Sequence, residues 1–370
     1  MTDPVARTDP AVKSFAAPAY RLGDFAPVIS LGLIVLVFSL IVERFLSLGT
    51  LSLVLQQSAV LAIVATGLTF VLLCAEIDLS VGMVALLSAC LCGVLWEQSF
   101  AAGPKGAHAK DVGLLATALI VAAPIVMAVF AGWLSGRLTV SSGLPSFIIT
   151  LAMMNIALGL ARFLTRSEKF SVPPALASLG NDAWRLFGDL RLPRSAVLAA
   201  VVMLIAHLVL QHTRFGRYVY MTGGNRDAAR LAGVRTDKIV VACLALCGLT
   251  AAIGGLVNAG RLNSVSLDQN ADLLLDAVAC VVLGGTSLFG GEGSIGRTVI
   301  GVLTFTTLKV GLNLTNVERL IKSLPLSPAW KEKLLDASWV TQFDLLRPFL
   351  LGVVLLMALV IHGRLVKRNS

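Results

Sequence analysis

Charged residues are scarce in this chain of 370 residues, of which Asp, Glu, Lys and Arg together make up 14%. Soluble domains carry about 25% charged residues, whereas 56% of this chain is hydrophobic. A soluble core cannot bury so much apolar surface without leaving large apolar patches in water. The scarcity of charge therefore excludes an ordinary soluble domain and predicts a multi-pass membrane protein with lipid as its solvent.

Histidine and cysteine are too few and too scattered to indicate a metal centre. The four histidines do not cluster at ligand spacing, and no pair of Cys-x-x-Cys motifs is present. The six cysteines fall in or beside apolar runs, where we expect them to act as small packing residues. We predict no metal site, and the lack of a nucleophile–base arrangement excludes an enzyme. The scattered basic residues also exclude nucleic acid as a partner.

Apolar runs are long and numerous. A helix crosses about 30 Å of hydrocarbon with about 20 residues, so we predict an all-α integral membrane protein with about ten transmembrane helices. The predicted spans are 26–42, 50–74, 79–96, 113–134, 144–163, 195–212, 239–260, 275–290, 296–315 and 345–363. The span 275–290 is short and its neighbour contains Lys309, so we expect this pair to be the place for a broken or re-entrant element.

The basic residues predict which side of the membrane each end occupies. Basic residues crowd the loop 213–238 and follow the last span. Cytoplasmic loops carry an excess of Lys and Arg, so we expect that loop and both termini in the cytoplasm. The predicted organisation is a polar cytoplasmic tail at 1–24, a transmembrane domain at 25–363 and a basic cytoplasmic tail at 364–370. The first span lacks a small-residue cleavage pattern and is expected to remain uncleaved.

The basic loop contains signals for a short helix. Asn225 is placed to cap that helix through its side-chain oxygen. Asp227 then falls in the first turn, where the helix dipole favours a negative charge, and Gly233 is suited to a left-handed turn at the end. Such a protrusion suits docking into a groove on another protein. The alternative is a solvated basic loop that merely marks the cytoplasmic side.

A second candidate site comprises Glu76, Asp78 and Ser80, which lie between two predicted spans. Carboxylates beside a membrane span are costly unless they are paired or hydrated. In one interpretation Asp78 or Ser80 caps the third span while Glu76 meets water. In the other, the three residues form a gate or relay near the cytoplasmic mouth. The residues themselves leave both interpretations open.

Glycines at 291–296 precede Arg297 and Thr298 and nearly reproduce a phosphate-binding loop. That loop requires a lysine where Arg297 stands, and it requires alternating strands and helices around it. Neither is present in the sequence, so we predict no nucleotide site. The glycines are instead expected to permit a sharp turn between two packed helices.

Four stretches, in order, resemble the permease subunits of bacterial ABC importers, and more narrowly the ribose/xylose-type sugar permease family. They are Ile77–Gly82, Gly143–Leu151, Gly223–Gly233 and Val282–Gly296. In the third stretch, the pattern acid–Ala–Ala–xxx–Gly is similar to the loop that docks onto the ATPase subunit. Two departures are Asp227, where the general motif has Glu, and a longer segment at 316–344.

The resemblance implies a homodimer in the bacterial inner membrane, an ABC ATPase subunit that binds ATP–Mg, and a periplasmic sugar-binding protein. The chain itself is then expected to hold no cofactor. The implied ATPase-coupling residues are Gly223, Gly224, Asn225, Asp227, Ala228, Ala229, Arg230 and Gly233. Two alternatives stay open. One is an ABC permease for a nucleoside or a branched-chain amino acid, and the other is an ion-driven secondary carrier.

Polar side chains inside the predicted spans are candidates for a translocation path. A neutral polyhydroxylated solute needs hydrogen-bonding amides, and an aromatic ring such as that of Phe147 suits its apolar face. The candidates are Gln57, Phe147, Asn155, Asn258 and Asp276. The alternative role is interhelical hydrogen bonding, worth roughly 0.6 kcal/mol per pair. We also expect Asp276 to pair with Lys309 across adjacent spans.

Overall fold

The computed structural model describes residues 26–101, 113–270, 272–317, 321–322, 330, 345–354 and 356–357. Its elements are α1 Ala26–Ile41, α2 Leu48–Leu73, α3 Val81–Ala101, α4 Leu114–Ser142, α5 Ser146–Thr165, α6 Pro174–Asn181, β1 Ala183–Phe187, β2 Leu190–Pro193, α7 Arg194–His212, α8 Arg214–Gly224, α9 Arg226–Leu231, α10 Thr236–Leu262, α11 Leu273–Leu283 and α12 Ile295–Leu314. A further apolar helix covers Leu345–Val354. Predictions for the tails 1–24 and 364–370, and for most of 316–344, concern residues outside the described ranges.

A helix occupies each predicted span, but the helices differ in length. Within the described ranges, seven are long and apolar enough to cross a membrane: α2, α3, α4, α5, α7, α10 and α12. Three shorter apolar helices, Pro27–Ile41, Leu273–Leu283 and Leu345–Val354, stand at the other three predicted positions. The chain is therefore mostly helical with at least seven candidate crossings.

Helix α10 lies at the centre of the bundle, against α2, α3 and α4. Its neighbours approach closely because glycine lies at the crossings. A Cβ added at Gly132 of α4 would lie 2.2 Å from the Leu244 carbonyl oxygen of α10, and one at Gly255 would lie 2.2 Å from the Ala85 carbonyl oxygen of α3. Small residues allow such backbone contact between membrane helices, where dispersion and weak polar contacts drive association.

Helix α11 is a half-length element, as the short predicted span suggested. Its 11 residues extend about 16 Å at 1.5 Å per residue, roughly half of a 30 Å hydrocarbon layer. The prediction of a helix up to residue 290 is wrong, because α11 ends at Leu283 and a glycine-rich loop follows. The segment before α11 folds back into the bundle, where a Cβ on Gly82 would lie 3.2 Å from the Asn270 carbonyl oxygen.

A small β-hairpin corrects the all-α prediction. Strands β1 and β2 pair antiparallel, with Trp184 opposite Leu192, and Gly188 at the turn has φ +56°. The hairpin and the short helix α6 lie in the connection between α5 and α7. The hairpin was missed although polar and apolar residues alternate on both sides of a glycine turn, which is the usual local signal.

The bundle has two polar ends. The loop 74–80, the turn at 143–145, helices α8 and α9 and the loop 284–294 lie at one end, which we call the α8–α9 end. Helix α6, the hairpin and the residues just after α10 lie at the other, which we call the α6 end. Helices α2 and α12 run in opposite directions between these ends, because Leu73 and Gly291 meet at the α8–α9 end.

Candidate functional site

Helices α8 and α9 form a capped helical hairpin. The Asn225 side-chain oxygen accepts a hydrogen bond from the Ala228 N–H at 2.9 Å, so the predicted cap is confirmed. Asp227 lies in the first turn of α9, and Gly233 after it has φ +84°, as predicted. The protrusion is therefore a defined helix whose ends are satisfied locally.

Helix α9 presents a small exposed surface. Asp227 and Ala228 are exposed, whereas Ala229 is buried against the bundle. Leu231, at the end of the helix, is 91% exposed. Arg230 donates to the Asp237 carboxylate at 2.8 Å and is thereby tied to the start of α10. The sequence interpretation missed Leu231, although an apolar side chain two residues before the terminating glycine is a local signal.

Helix α8 is seated on the end of α2 by close backbone contact. A Cβ added at Gly223 would lie 1.7 Å from the Leu73 carbonyl oxygen, and that oxygen accepts a hydrogen bond from the Gly291 N–H at 3.0 Å. The Tyr220 hydroxyl donates to the Gly293 carbonyl oxygen at 2.8 Å. Burial raises the pKa of Tyr220, so the phenol stays a neutral donor. The α8–α9 hairpin, the end of α2 and the glycine-rich loop 284–294 therefore meet at one point.

Glu76 and Arg226 join the hairpin to the segment after α2. The Arg226 guanidinium donates to the Glu76 carboxylate, and the Glu76 side chain is only 8% exposed. The interpretation in which Glu76 meets water is therefore wrong. A carboxylate in a low-dielectric environment is costly unless it is paired, and Arg226 supplies the pair.

Asp78 does not cap α3 in the expected way. Its carboxylate accepts from the Ser80 N–H at 2.9 Å and from the Ser80 hydroxyl at 2.6 Å, which closes a local turn ahead of the helix. The carbonyl oxygen of Ser80 then accepts from the Val84 N–H at 2.8 Å, so Ser80 begins α3 through its backbone. The buried acid is satisfied by its neighbour two residues on.

The segment Ile77–Leu79 is extended, and α5 satisfies its backbone. The Ile77 N–H donates to the Ser146 hydroxyl and the Leu79 N–H to the Thr150 hydroxyl, both at 3.0 Å. The Thr150 hydroxyl in turn donates to the Ser146 carbonyl oxygen of its own helix at 2.9 Å, and it lies 3.3 Å from the Ile77 carbonyl oxygen. Non-helical backbone at membrane depth is tolerated only where protein satisfies it, and here two side chains do so.

These contacts bring the four sequence stretches together at the α8–α9 end. A cavity of about 450 Å³ lies between three of them, and its lining includes Glu76, Phe147, Gly223 and Arg226. The fourth stretch closes the cluster through Gly291. A short protruding helix is thus connected to the ends of α2 and α5 and to the loop between α11 and α12.

Residues 50–359 match the family described as "Branched-chain amino acid transport system / permease component". The chain belongs to this permease family. With seven candidate spans among its described residues, the permease is a multi-pass protein of the inner membrane.

The permease has many similar relatives among characterised proteins. It is 34% identical over 293 residues to the ribose import permease protein RbsC of Escherichia coli strain K12. The matched region covers 78% of this chain and 85% of the relative. It is 33% identical to the fructose import permease protein FrcC of Rhizobium meliloti, over 77% of this chain and 78% of the relative. It is 30% identical to the autoinducer 2 import system permease protein LsrC of Photorhabdus luminescens, over 88% and 86%. No solved structure matches the permease.

A second cavity of the permease collects three of the five residues suggested for the path. Gln57, Asn258 and Asp276 line a space of about 370 Å³ near the α6 end. Phe147 lies instead in the cavity beside Arg226. Asn155 is exposed on α5, and its amide donates to the Leu151 carbonyl oxygen of the same helix at 2.9 Å. The structure therefore separates Phe147 and Asn155 from the three residues that line the second cavity.

The expected ion pair inside the permease is present. Lys309 Nζ donates to Asp276 Oδ2 at 2.7 Å, joining α12 to α11. Both residues line the second cavity, and the Asp276 side chain is 15% exposed. The pair therefore satisfies a buried acid at the beginning of the half-length helix.

The glycine loop of the permease is built as a turn between helices. Helix α11 precedes it and α12 follows, whereas a phosphate-binding loop follows a strand. Gly290, Gly291 and Gly293 have φ of +87°, +73° and +147°, which only glycine adopts without strain. Among the described residues, no group of three potential ligands is arranged to hold a metal.

Proposed function

We propose that this permease is the membrane subunit of an ATP-driven importer for a neutral sugar or polyol. Its relatives are import permeases for ribose, fructose and autoinducer 2, and they match most of the chain. The observation that carries the proposal is the convergence of four stretches on the α8–α9 hairpin. A permease that is driven by a separate ATPase subunit needs a protruding helix in contact with several membrane helices.

The α8–α9 hairpin is proposed as the docking site of an ABC ATPase subunit. Its exposed tip offers Asp227, Ala228 and the 91% exposed Leu231. The side facing the bundle reaches α2 through Gly223 and Glu76 through Arg226. A push on the tip would therefore move the end of α2 and the extended segment together. ATP–Mg and its hydrolysis belong to the partner in this scheme.

The proposed orientation places the α8–α9 end in the cytoplasm. Helices α8 and α9 and their flanks carry a cluster of basic residues, which cytoplasmic loops favour. Helix α1 ends beside the end of α12, where Phe38 contacts Gly311, so Ala26 starts at the α8–α9 end. This direction supports a cytoplasmic N-terminus. With ten crossings the C-terminus would be cytoplasmic as well.

The remaining partners are a second copy of the chain and a periplasmic sugar-binding protein. Helices α5 and α7 expose large apolar residues, among them Phe163 and Leu204, which lipid or a second copy would cover. The hairpin β1–β2 and α6 lie at the α6 end, where a binding protein would dock. Transport would then proceed by alternating access, with affinity supplied mainly by the binding protein.

Two other cargoes or mechanisms are less well supported. The family description mentions branched-chain amino acids, but the relatives named above are not amino acid permeases. An ion-driven carrier needs a carboxylate that exchanges protons or cations, whereas Asp276 is held by Lys309 at 2.7 Å. A neutral sugar or polyol is therefore the cargo that we propose.

Reconstitution tests the proposal directly. The full chain is co-expressed with an ABC ATPase and a soluble binding protein from its own genome and placed in liposomes. We expect the complex to co-purify and to accumulate radiolabelled D-ribose or D-fructose only with ATP, unaffected by a protonophore. Uptake of leucine or a nucleoside but of no sugar would contradict the cargo. Uptake that a protonophore abolishes would contradict the ATP-driven mechanism.

A further inference from the structure

The cavity near the α6 end is polar although it lies within a membrane bundle. Ten of its thirteen lining residues carry polar or charged side chains. It lies far from the ATPase-docking hairpin, because Asn258 is 22 residues after Thr236, about 33 Å along α10 at 1.5 Å per residue. The cavity opens at the exposed Asp268, Asp272 and Asn313 and closes at the fully buried Thr306. A hydrated solute would therefore enter from the α6 end.

One side of the cavity is a fixed chain of hydrogen bonds. The Arg261 guanidinium donates to Asn258 Oδ1 at 2.9 Å. Because arginine only donates, this contact sets the orientation of the Asn258 amide. The Asn258 Nδ2 group then donates to Asn270 Oδ1 at 2.7 Å, which in turn sets the orientation of Asn270. The chain therefore ends on the Asn270 Nδ2 group.

Two buried polar groups on the cavity wall lack partners. Asn270 Nδ2 and Thr306 Oγ1 have no hydrogen-bond partner among the residues that the structure describes, although the two residues are 8% and 1% exposed. Leaving a buried polar group unpaired costs about 1–3 kcal/mol. Both groups line the cavity, so a bound molecule with hydroxyl groups would satisfy them.

The charge and the polarity of the lining limit what that molecule is. The lining holds three carboxylates and two cations, so its charges nearly balance. The acids are Asp268, Asp272 and Asp276, and the cations are Arg261 and Lys309. A surplus of acid disfavours an anion. Only Val60, Leu61 and Leu273 are apolar, which is too little apolar surface for a branched aliphatic side chain. Dense amides and carboxylates instead suit the many hydroxyl groups of a neutral polyol.

We propose that this cavity is the first site within the permease at which a neutral sugar or polyol binds, with the Asn270 amide and the Thr306 hydroxyl contacting its hydroxyl groups. The proposal rests on the proposed transport function and names the site of that function. Asn258 and Arg261 act as positioning residues, because they hold the Asn270 donors toward the cavity. The Asp276–Lys309 pair forms the wall at the start of α11.

Matched threonine variants on α12 test the site. Thr306→Val removes the unpartnered hydroxyl with little change in volume, and Asn270→Asp removes two donors while keeping the acceptor for Asn258. The control is Thr304→Val, because the Thr304 hydroxyl donates to the Ile300 carbonyl oxygen at 2.7 Å. Each full-length variant is reconstituted with its ATPase and binding protein, and uptake of radiolabelled D-ribose and D-fructose is measured.

We expect Thr306→Val and Asn270→Asp each to lower uptake about fivefold to tenfold, the factor for one lost hydrogen bond. Thr304→Val should transport like the wild type, and all three should co-purify with the ATPase. Equal uptake in Thr306→Val, Asn270→Asp and Thr304→Val would overturn the site while leaving the transport function intact. A wild-type complex that imports leucine but no sugar would instead overturn the proposed function.

Thiol labelling gives a readout that does not depend on transport. The native cysteines among the described residues are all buried, so a membrane-impermeant thiol reagent should leave them unlabelled. We expect Asn313→Cys, at the exposed rim of the cavity, to react from the periplasmic side, and bound sugar to slow the reaction. Thr304→Cys should not react. Failure of Asn313→Cys to react from that side would contradict a cavity that opens at the α6 end.

Discussion

Arg226, the first residue of α9, donates through its guanidinium to Glu76, which follows α2 by three residues. The two residues are 150 positions apart in the chain. Glu76 is nearly buried whereas Arg226 is 38% exposed. The pair links the protruding helix to the extended segment that α5 supports, so we expect displacement of α9 to move two membrane helices.

The two members of that pair should not be equivalent when mutated. Arg226→Met leaves a buried carboxylate without its partner, and we expect a loss of about 3 kcal/mol in unfolding free energy. Glu76→Gln leaves an arginine that water can reach, with a loss of about 1 kcal/mol. Thermal unfolding in detergent measures both. A larger loss for Glu76→Gln would contradict the assignment of Glu76 as the buried partner.

A reversed charge or an added side chain at the tip of the α8–α9 hairpin should uncouple the permease from its ATPase subunit. We expect Asp227→Lys and Gly233→Asp to abolish uptake and ATPase co-purification while membrane insertion stays normal. Gly188→Asp is the control for ATPase co-purification, because Gly188 also has positive φ, +56°, but lies at the α6 end. Gly188→Asp should strain the backbone much as Gly233→Asp does, but it places the new charge at the opposite end of the bundle. Normal ATPase association in the two tip variants would refute the docking assignment.

Adjacent glycines at the end of α8 should respond differently to the same substitution. A methyl group at Gly223 would collide with the Leu73 carbonyl oxygen, 1.7 Å from the added Cβ, whereas nothing lies within 4 Å of a Cβ at Gly224. We expect Gly223→Ala to destabilise the protein by about 1–3 kcal/mol and to reduce uptake. Gly224→Ala should be neutral or slightly stabilising. Equal stabilities of the two variants would show that α8 does not rest on α2.

The hydroxyl of Thr150 should matter more than an ordinary buried hydroxyl. Thr150→Val removes the acceptor for the Leu79 N–H of the extended segment, and we expect a loss of about 1–3 kcal/mol. Thr66→Val is the control, since the buried Thr66 hydroxyl donates to Ala62 within its own helix. Detergent unfolding compares them, and equal losses would mean that α5 does not support the extended segment.

The pair between α11 and α12 should tolerate exchange better than reversal. Asp276→Lys and Lys309→Asp each place two like charges where the native groups are 2.7 Å apart. The double variant Asp276→Lys/Lys309→Asp restores attraction, so we expect it to recover part of the uptake that each single variant loses. A double variant no better than the singles would count against a structural role of the pair.

The helical protrusion was predictable because its signals are local. Asn225, Asp227 and Gly233 occupy the cap, the first turn and the left-handed end within nine residues, and each acts on backbone close to itself. The predicted spans likewise follow from apolar runs, since lipid selects helices by length and polarity. The β-hairpin β1–β2 was missed because its alternation of polar and apolar residues is short and lies within a polar connection.

The partner of Glu76 was not predictable from neighbouring residues. Glu76 was expected in water and is paired with Arg226. Asp78 or Ser80 was expected to cap a helix, and Ser80 does begin α3 while Asp78 binds Ser80. The burial of Glu76 depends on helices far away in the chain, whereas the contact of Asp78 is local. Phe147 likewise depends on tertiary packing, because it lines the cavity beside the α8–α9 hairpin and not the polar cavity.

The amino-acid sequence alone determined the solvent of this protein, the positions of its membrane helices and the caps of its protruding helix, because those depend on composition and on contacts within a few residues. The tertiary structure decided which polar groups meet. It placed hydroxyls of α5 on the extended segment, seated Gly223 on the end of α2 and gathered Asn258, Asn270 and Thr306 around one cavity. A buried polar group must find a partner in lipid, and only the packing of distant helices brings that partner near.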